Sequence, residues 1–362
     1  MSRKFPRPIK RLVIKLGSSL IANYQMKPRT SWLRALVVQV SQLRESGIDV
    51  AIVSSGAIVL GMGELNERKC PTDLASLQAR AAIGQNSLMK IYSDLFKRNK
   101  KICAQVLLTW DDFDNRARYN NACGTLQAIL GKGVVPIINE NDTISTEEIK
   151  FGDNDKLSAL VAGLIHADLL VILSDVEGLY DLKSADKKIF REIKEITQDI
   201  EGHAGGAKNK HVSKGGMKTK LEAVKIATHA NIPCVITGGQ IPDVLLRVVA
   251  GEQIGTLFIE KKGKLLAREH WISFGAKPKG KIVVDDGAKK ALLDGTKSLL
   301  LPGVVSWDGH FKADDVVVIL DRDLREIARG VINYSVGDLH KIEEKKGRQE
   351  VVHRDNLVLS QG

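Results

Sequence analysis

Arg11-Leu12-Val13-Ile14-Lys15-Leu16-Gly17-Ser18-Ser19 decides how the rest of the chain is read. Leu12-Val13-Ile14 shows no polar alternation, as in a strand buried on both faces, and the strand stops in a Gly-Ser-Ser turn. An apolar segment behind a basic N-terminus can imitate a secretory signal, but Lys15 interrupts this one, so it reads as a first strand. Outward from it, Thr30 or Ser31 is expected to cap a helix. Leu33, Leu36, Val37, Val40 and Leu43 recur there at three and four residues, with Gly47 stopping the helix. Further buried strands are expected at 48–53, 102–108, 134–138, 169–173 and 233–236, with helical segments between them. This alternation predicts an α/β fold, a mostly parallel central sheet sandwiched between helices.

The pattern changes after a polar, basic stretch at 261–267. Short strands follow at 281–284, 299–301, 316–320 and 327–334, and Asp285-Asp286-Gly287 begins a helix over 287–293. With 362 residues the chain exceeds a comfortable single core. It divides into a large part at 1–260, a linker at 261–273 and a small β-rich part at 274–362.

Composition narrows the class. At 43% hydrophobic and 27% charged residues the chain is an ordinary globular protein. Its apolar runs, such as 169–173, are too short to cross a bilayer, so the cytoplasm is the expected address. Cys70, Cys103, Cys123 and Cys234 are scattered without C-x-x-C spacing, so reduced thiols are expected rather than a disulfide framework or zinc site. A net charge of +11 raises the question of nucleic acid. From Lys277 onward there are 15 Lys and Arg against 14 Asp and Glu, so the small domain carries almost none of that excess. It collects instead at the N-terminus and between Lys208 and Lys220, where five lysines and no carboxylate suit a polyphosphate.

Four polar clusters fall where strands end, the ligand-binding side of an open α/β sheet. Lys15-Leu16-Gly17-Ser18-Ser19 offers backbone N–H groups and a lysine to a phosphoryl group; an ordinary turn is the bland alternative. Ser54-Ser55-Gly56-Ala57 forms a small anion site or a plain helix cap. Asn139-Glu140-Asn141-Asp142 and Gly152-Asp153-Asn154-Asp155-Lys156 bring more carboxylates and carboxamides than capping needs. They suit an ammonium, the ordering of catalytic lysines, or a divalent ion held through water. Ser213-Lys214-Gly215-Gly216-Met217-Lys218-Thr219-Lys220 enters a helix over 221–230, and Ser174-Asp175 adds polar groups where a nucleotide could lie. No Ser/His/Asp or Cys/His arrangement is visible, and the eight histidines do not cluster. Lysines, glycine loops and no general base describe direct in-line phosphoryl transfer to an acceptor that is already ionised, such as a carboxylate.

These motifs, together with Val53-Ser54-Ser55-Gly56-Ala57-Ile58 and Pro136-Ile137-Ile138-Asn139-Glu140-Asn141-Asp142, resemble those of the glutamate 5-kinases within the amino-acid kinase family. Phe274–Asp355 resembles the PUA domain that many bacterial members append. The resemblance implies a three-layer αβα sandwich. It implies ATP-dependent formation of glutamyl 5-phosphate, the first step of proline synthesis, with Mg²⁺ carried mainly by the nucleotide and no metal site on the protein. It makes Lys15, Lys220 and Asp155 catalytic, with Asp155 organising the two lysines. Ser55, Asp142 and Asn154 would bind glutamate. ATP would lie against Lys15, Ser174, Asp175, Lys214, Gly215, Gly216, Met217, Lys218, Thr219 and Lys220. A homo-oligomer, dimer or tetramer, inhibited by proline is implied too. Lys214 departs from the family, which usually has threonine there, and exchanges a hydroxyl for a charge. The rival expectations are a sister kinase acting on N-acetylglutamate, aspartate, carbamate or a nucleoside monophosphate, and RNA binding by the PUA-like part.

Overall fold

Val13, Ile14 and their neighbours behave as an uninterrupted apolar run should. In the computed structural model they sit fully buried at the centre of a sheet. The structure describes residues 3–145, 154–184, 186, 188–205, 216–260, 267–295, 297–343 and 349–360. It divides into two units, Met1–Asp112 with Arg116–Lys264, and Phe113–Asn115 with Leu265–Gly362.

In the larger unit the elements run β1 (Arg11–Leu16), α1 (Ser18–Ile21), α2 (Thr30–Glu45), β2 (Asp49–Ser54), α3 (Ala57–Glu64), α4 (Leu74–Arg98) and β3 (Cys103–Leu108). They continue with α5 (Trp110–Asp114), α6 (Arg116–Gly131), β4 (Val135–Glu140), α7 (Asn154–Leu164), β5 (Leu169–Ser174) and β6 (Glu192–Ile193). The last are α8 (Gln198–Gly202), α9 (Met217–His229), β7 (Cys234–Gly238), α10 (Val244–Val249) and β8 (Thr256–Phe258). The strands form one sheet in the order β3-β4-β2-β1-β5-β7-β8-β6. Pairing is parallel except between β7 and β8.

Alternation along β1 separates the layers. Leu12, Ile14 and Leu16 join a core with Leu33, Leu36 and Val40 of α2 and Leu88 and Phe96 of α4. Val13 and Lys15 therefore face the opposite layer, where α7 and α9 pack on each other. The chain leaves β1 for β2 on one side and returns to β5 on the other. β1 is thus the point where strand order reverses, and its carboxyl end is where a ligand crevice is expected.

Several expectations needed correction. Thr30 and Ser31 do not cap α2: the cap position is Arg29, and no side chain bonds to the helix end. Gly47 does follow that helix, at φ +84°, in the left-handed conformation that ends helices. β4 runs two residues past Ile138, so Asn139 and Glu140 are buried strand residues rather than loop residues. α9 begins at Met217. Among the described residues no helix is long and apolar enough to cross a membrane.

The smaller unit holds a five-stranded sheet in the order β11-β9-β12-β13-β15. Its strands are β9 (Gly280–Val284), β11 (Val304–Gly309), β12 (Val316–Leu320), β13 (Glu326–Val331) and β15 (Leu357–Leu359). β10 (Leu299–Leu300) pairs separately with β14 (Glu350–Val352). Asp285 caps the helix Asp286–Leu293, accepting from the Ala288 N–H at 2.7 Å. The end of the expected linker is helical: residues 267–275 form helical turns, with Trp271 and Ile272 buried.

Candidate functional site

The register of the parallel strands lines up Ile138, Val53, Lys15, Ile172 and Ile236 as one row across the sheet. Lys15 is the charged member of an apolar row. One or two residues further, each strand turns polar: Asn139 and Glu140, Ser54 and Ser55, Ser174, Thr237. Hydrophobic strand interiors fix the sheet, and their ends assemble the site.

Lys15 does not stand alone. Its Nζ lies 2.5 Å from Asp155 Oδ1, and Lys220 Nζ lies 3.1 Å from Asp155 Oδ2. The Thr219 hydroxyl donates to the same Oδ2 at 3.1 Å. Asp155 is 0% exposed, Lys15 5% and Lys220 6%. Burial alone would push the Asp155 carboxyl up, but the two ammonium groups outweigh it and hold it at about 2. Among the described residues two cations share one anion here. Lys220 sits in the first turn of α9, where a helix N-terminus already favours anions.

A second network adjoins this triad through the neighbouring residue. Asn154 Nδ2 donates to the Ser54 carbonyl at 3.2 Å, to Ser55 Oγ at 3.0 Å and to Asn139 Oδ1 at 2.9 Å. Asn139 Nδ2 in turn donates to Gln85 Oε1 at 2.9 Å. Ser54 Oγ meets the buried Tyr92 hydroxyl at 3.0 Å. The Ser55 hydroxyl is not spent on a cap, because α3 is capped by Gly56 without a side-chain bond. Gly56 holds φ +103°, and a Cβ there would lie 2.8 Å from Ile21, so this position requires glycine.

Asp142 lies on the wall of a cavity of about 220 Å³ shared with Gln85, Glu140 and Asn141. Burial pushes its carboxyl up to about 7, and the nearby Glu140 adds to the shift. Ser174 and Asp175 bond to each other, Oγ to Oδ1, at 2.9 Å. Gly216 caps α9 with extended backbone, Met217 and Thr219 are half-buried, and Lys218 is exposed. Lys214 and Gly215, like Phe151, Gly152 and Asp153, lie outside the described residues.

Gly17 and Gly216 are instructive glycines. Both have ordinary φ, −74° and −82°, and among the described residues a Cβ would meet nothing closer than 3.9 Å at Gly17 and nothing within 4 Å at Gly216. Neither the described neighbours nor the backbone conformation requires glycine there. Among the described residues no three His, Cys, Asp or Glu side chains gather into a metal site. Sequence reasoning missed Gln85 and Tyr92, both on the long helix α4. The signal that could have found Gln85 is the preceding Gly84, an isolated glycine inside a helix.

Comparison with known proteins bears on the family. The amino acid kinase family model matches residues 10–238, and the PUA domain model matches residues 280–353. A glutamate 5-kinase of Caldanaerobacter subterraneus subsp. tengcongensis is 44% identical, covering 96% of this chain and 97% of that protein. One from Carboxydothermus hydrogenoformans is 43% identical, over 99% of each. Among solved structures, carbamate kinase from Giardia lamblia bound to AMP-PNP superposes with a TM-score of 0.50 at 20% identity. That match covers 70% of this chain and 99% of the other, and it speaks to the fold alone.

Proposed function

Because the chain belongs to the amino acid kinase family, we propose that it transfers the γ-phosphoryl group of ATP to the side-chain carboxylate of L-glutamate, forming L-glutamyl 5-phosphate, the first step of proline biosynthesis. One observation carries the mechanism: two lysines from distant parts of the chain converge on one buried carboxylate at the strand ends.

A γ-carboxylate oxygen attacks the γ-phosphorus in line, the bond to the β–γ bridging oxygen breaks, and ADP leaves. The acceptor is ionised already, so no base removes a proton. Lys15 and Lys220 donate N–H groups to the phosphoryl oxygens as charge spreads over them. Asp155 holds the two ammonium groups between its oxygens and fixes their separation. Gly17 and Gly216 let main-chain N–H groups approach the phosphates, and Lys214, Gly215 and the first residues of α9, Met217, Lys218 and Thr219, contact the nucleotide beside them. Ser174 and Asp175 flank the nucleotide. Ser55 and Asn154 hold the acceptor, and Asp142 receives its ammonium. Carried by the nucleotide, Mg²⁺ would add further neutralisation of phosphate charge. The chain's own contribution is the pair of lysines.

The same reading carries a cytoplasmic location, a homo-oligomer and feedback by proline, all resting on the family. It also carries a kinase part at 1–260 and a PUA-like part at 274–362. The test is ADP release with glutamate, N-acetylglutamate, aspartate, carbamate and nucleoside monophosphates in parallel. Glutamate is expected to give the highest kcat/KM, and a higher value for any other acceptor would sink the assignment.

A further inference from the structure

The orientation of the amide network leads one step further. The Ser54 carbonyl oxygen can only accept, so the Asn154 nitrogen must face it. That nitrogen also donates to Asn139 Oδ1, which turns Asn139 Nδ2 towards Gln85 Oε1. Gln85 has then spent its acceptor. Its Nε2 is a buried donor that finds no acceptor among the described residues. Gln85 lines the cavity that also holds Glu140 and Asp142. α4 comes this close because of Gly84, where a Cβ would stand 1.8 Å from the Ala57 carbonyl oxygen and 2.4 Å from the Gly61 nitrogen.

Carboxylates on that wall suit an ammonium, and the Gln85 donor beside them suits a carboxylate oxygen. An α-amino acid carries both groups on one carbon. We propose that Gln85 is a substrate-recognition residue whose Nε2 donates to the α-carboxylate of the acceptor, so that the site reads the amino-acid head as well as the reacting end. This rests on the glutamate reading above and deepens it. It separates an α-amino-acid acceptor from one that offers only a reactive carboxylate or phosphate.

Glu is the informative replacement, because Gln85→Glu keeps the oxygen that accepts from Asn139 and removes the donor. Full-length wild type, Gln85→Glu and Gln85→Ala are compared with L-glutamate and with L-isoglutamine, in which the α-carboxylate is a carboxamide. Isoglutamine is read as substrate or as competitive inhibitor of glutamate. Gln85→Glu is expected to raise the glutamate KM about 30-fold while kcat and the ATP KM change little, the loss of one hydrogen bond to a charged group. The preference for glutamate over isoglutamine should fall by at least about tenfold, since the new carboxylate repels one head group and accepts from the other. Gln85→Ala, which adds no charge, should lower the same preference.

A near-normal glutamate KM in Gln85→Glu would overturn the proposal and leave Gln85 as a positioning residue for Asn139. Equal losses for both acceptors in both variants would overturn it too. Failure of the underlying reading is seen separately, as a wild type that uses another acceptor better than glutamate; the proposal then falls with it.

Discussion

The two ends of β1 carry similar charges and put them to different use. At the amino end, Arg11 pairs with Asp49 at 3.3 Å, Arg44 pairs with the same carboxylate, and Arg7 Nε lies 2.9 Å from Asp168. At the carboxyl end, Lys15 and Lys220 share Asp155. Among the described residues the amino end has one more cation than anion, and at the carboxyl end two lysines share one carboxylate. At the amino end the surplus is absorbed by backbone: Arg11 donates to the Ile165 carbonyl, Arg7 to those of Ala167 and Asn231, and Arg44 to that of Ile48. Several of these carbonyls follow the C-termini of α7 and α2, where helix dipoles favour cations. At the carboxyl end the N-termini of α7 and α9 add positive potential instead. One cluster ties strand starts to helix ends; the other gathers ammonium groups and helix N-termini where strands end.

The sharpest way to break this contrast is to neutralise each end in turn. Lys220→Ala should lower kcat by about 10²–10³ with the fold intact by circular dichroism, as loss of a transition-state charge partner does. A kcat within a few-fold of wild type would remove Lys220 from the reaction. Asp155→Asn should cost activity and stability together, because two buried ammonium groups then lose the carboxylate they share. The acid limb shows the same pairing. The Asp155 carboxyl sits below its usual 3.8, at about 2, so its stabilisation is complete above about pH 4 and is lost as pH falls towards 2. Denaturation midpoints measured across that window should fall more steeply for wild type than for Asp155→Asn.

A smaller effect concerns the acceptor pocket. With the Asp142 carboxyl at about 7, its charge appears as pH rises through neutrality, so kcat/KM for glutamate should climb between pH 6 and 8. Glu140→Gln removes the like charge beside it and should move that rise to lower pH; a flat profile in both proteins would take Asp142 out of the pocket. At the amino end, Arg11→Ala should leave turnover unchanged and cost only about 1 kcal/mol in a urea titration, the scale of a partly exposed pair. Lost turnover there would erase the distinction between the two ends.

What the sequence made legible follows the same division. Apolar runs such as 169–173 place strands well, because burial on both faces leaves little else they could be. Lys15, Asp155 and Lys220 were readable because glycine and acidic motifs mark strand ends. Asn139 and Glu140 read as loop residues in the sequence because they are polar, yet they end β4. They are buried because Asn154, Gln85 and Ser145 supply their partners, and such partners come from other elements. Gln85 and Tyr92 vanish into the pattern of a 25-residue amphipathic helix. Val304–Gly309 shows weak burial alternation at a sheet edge and was not anticipated as a strand.

The position of β1 also sets an order of events during synthesis. It is made before the other strands of its sheet, yet it lies in the middle of that sheet, between β2 and β5. β2 can join it early, but its other edge stays open until residues 169–173 have been made. The last lysine of the cluster arrives 65 residues after Asp155. A nascent chain therefore carries an uncovered apolar strand edge through much of its translation, the condition that invites aggregation or a chaperone.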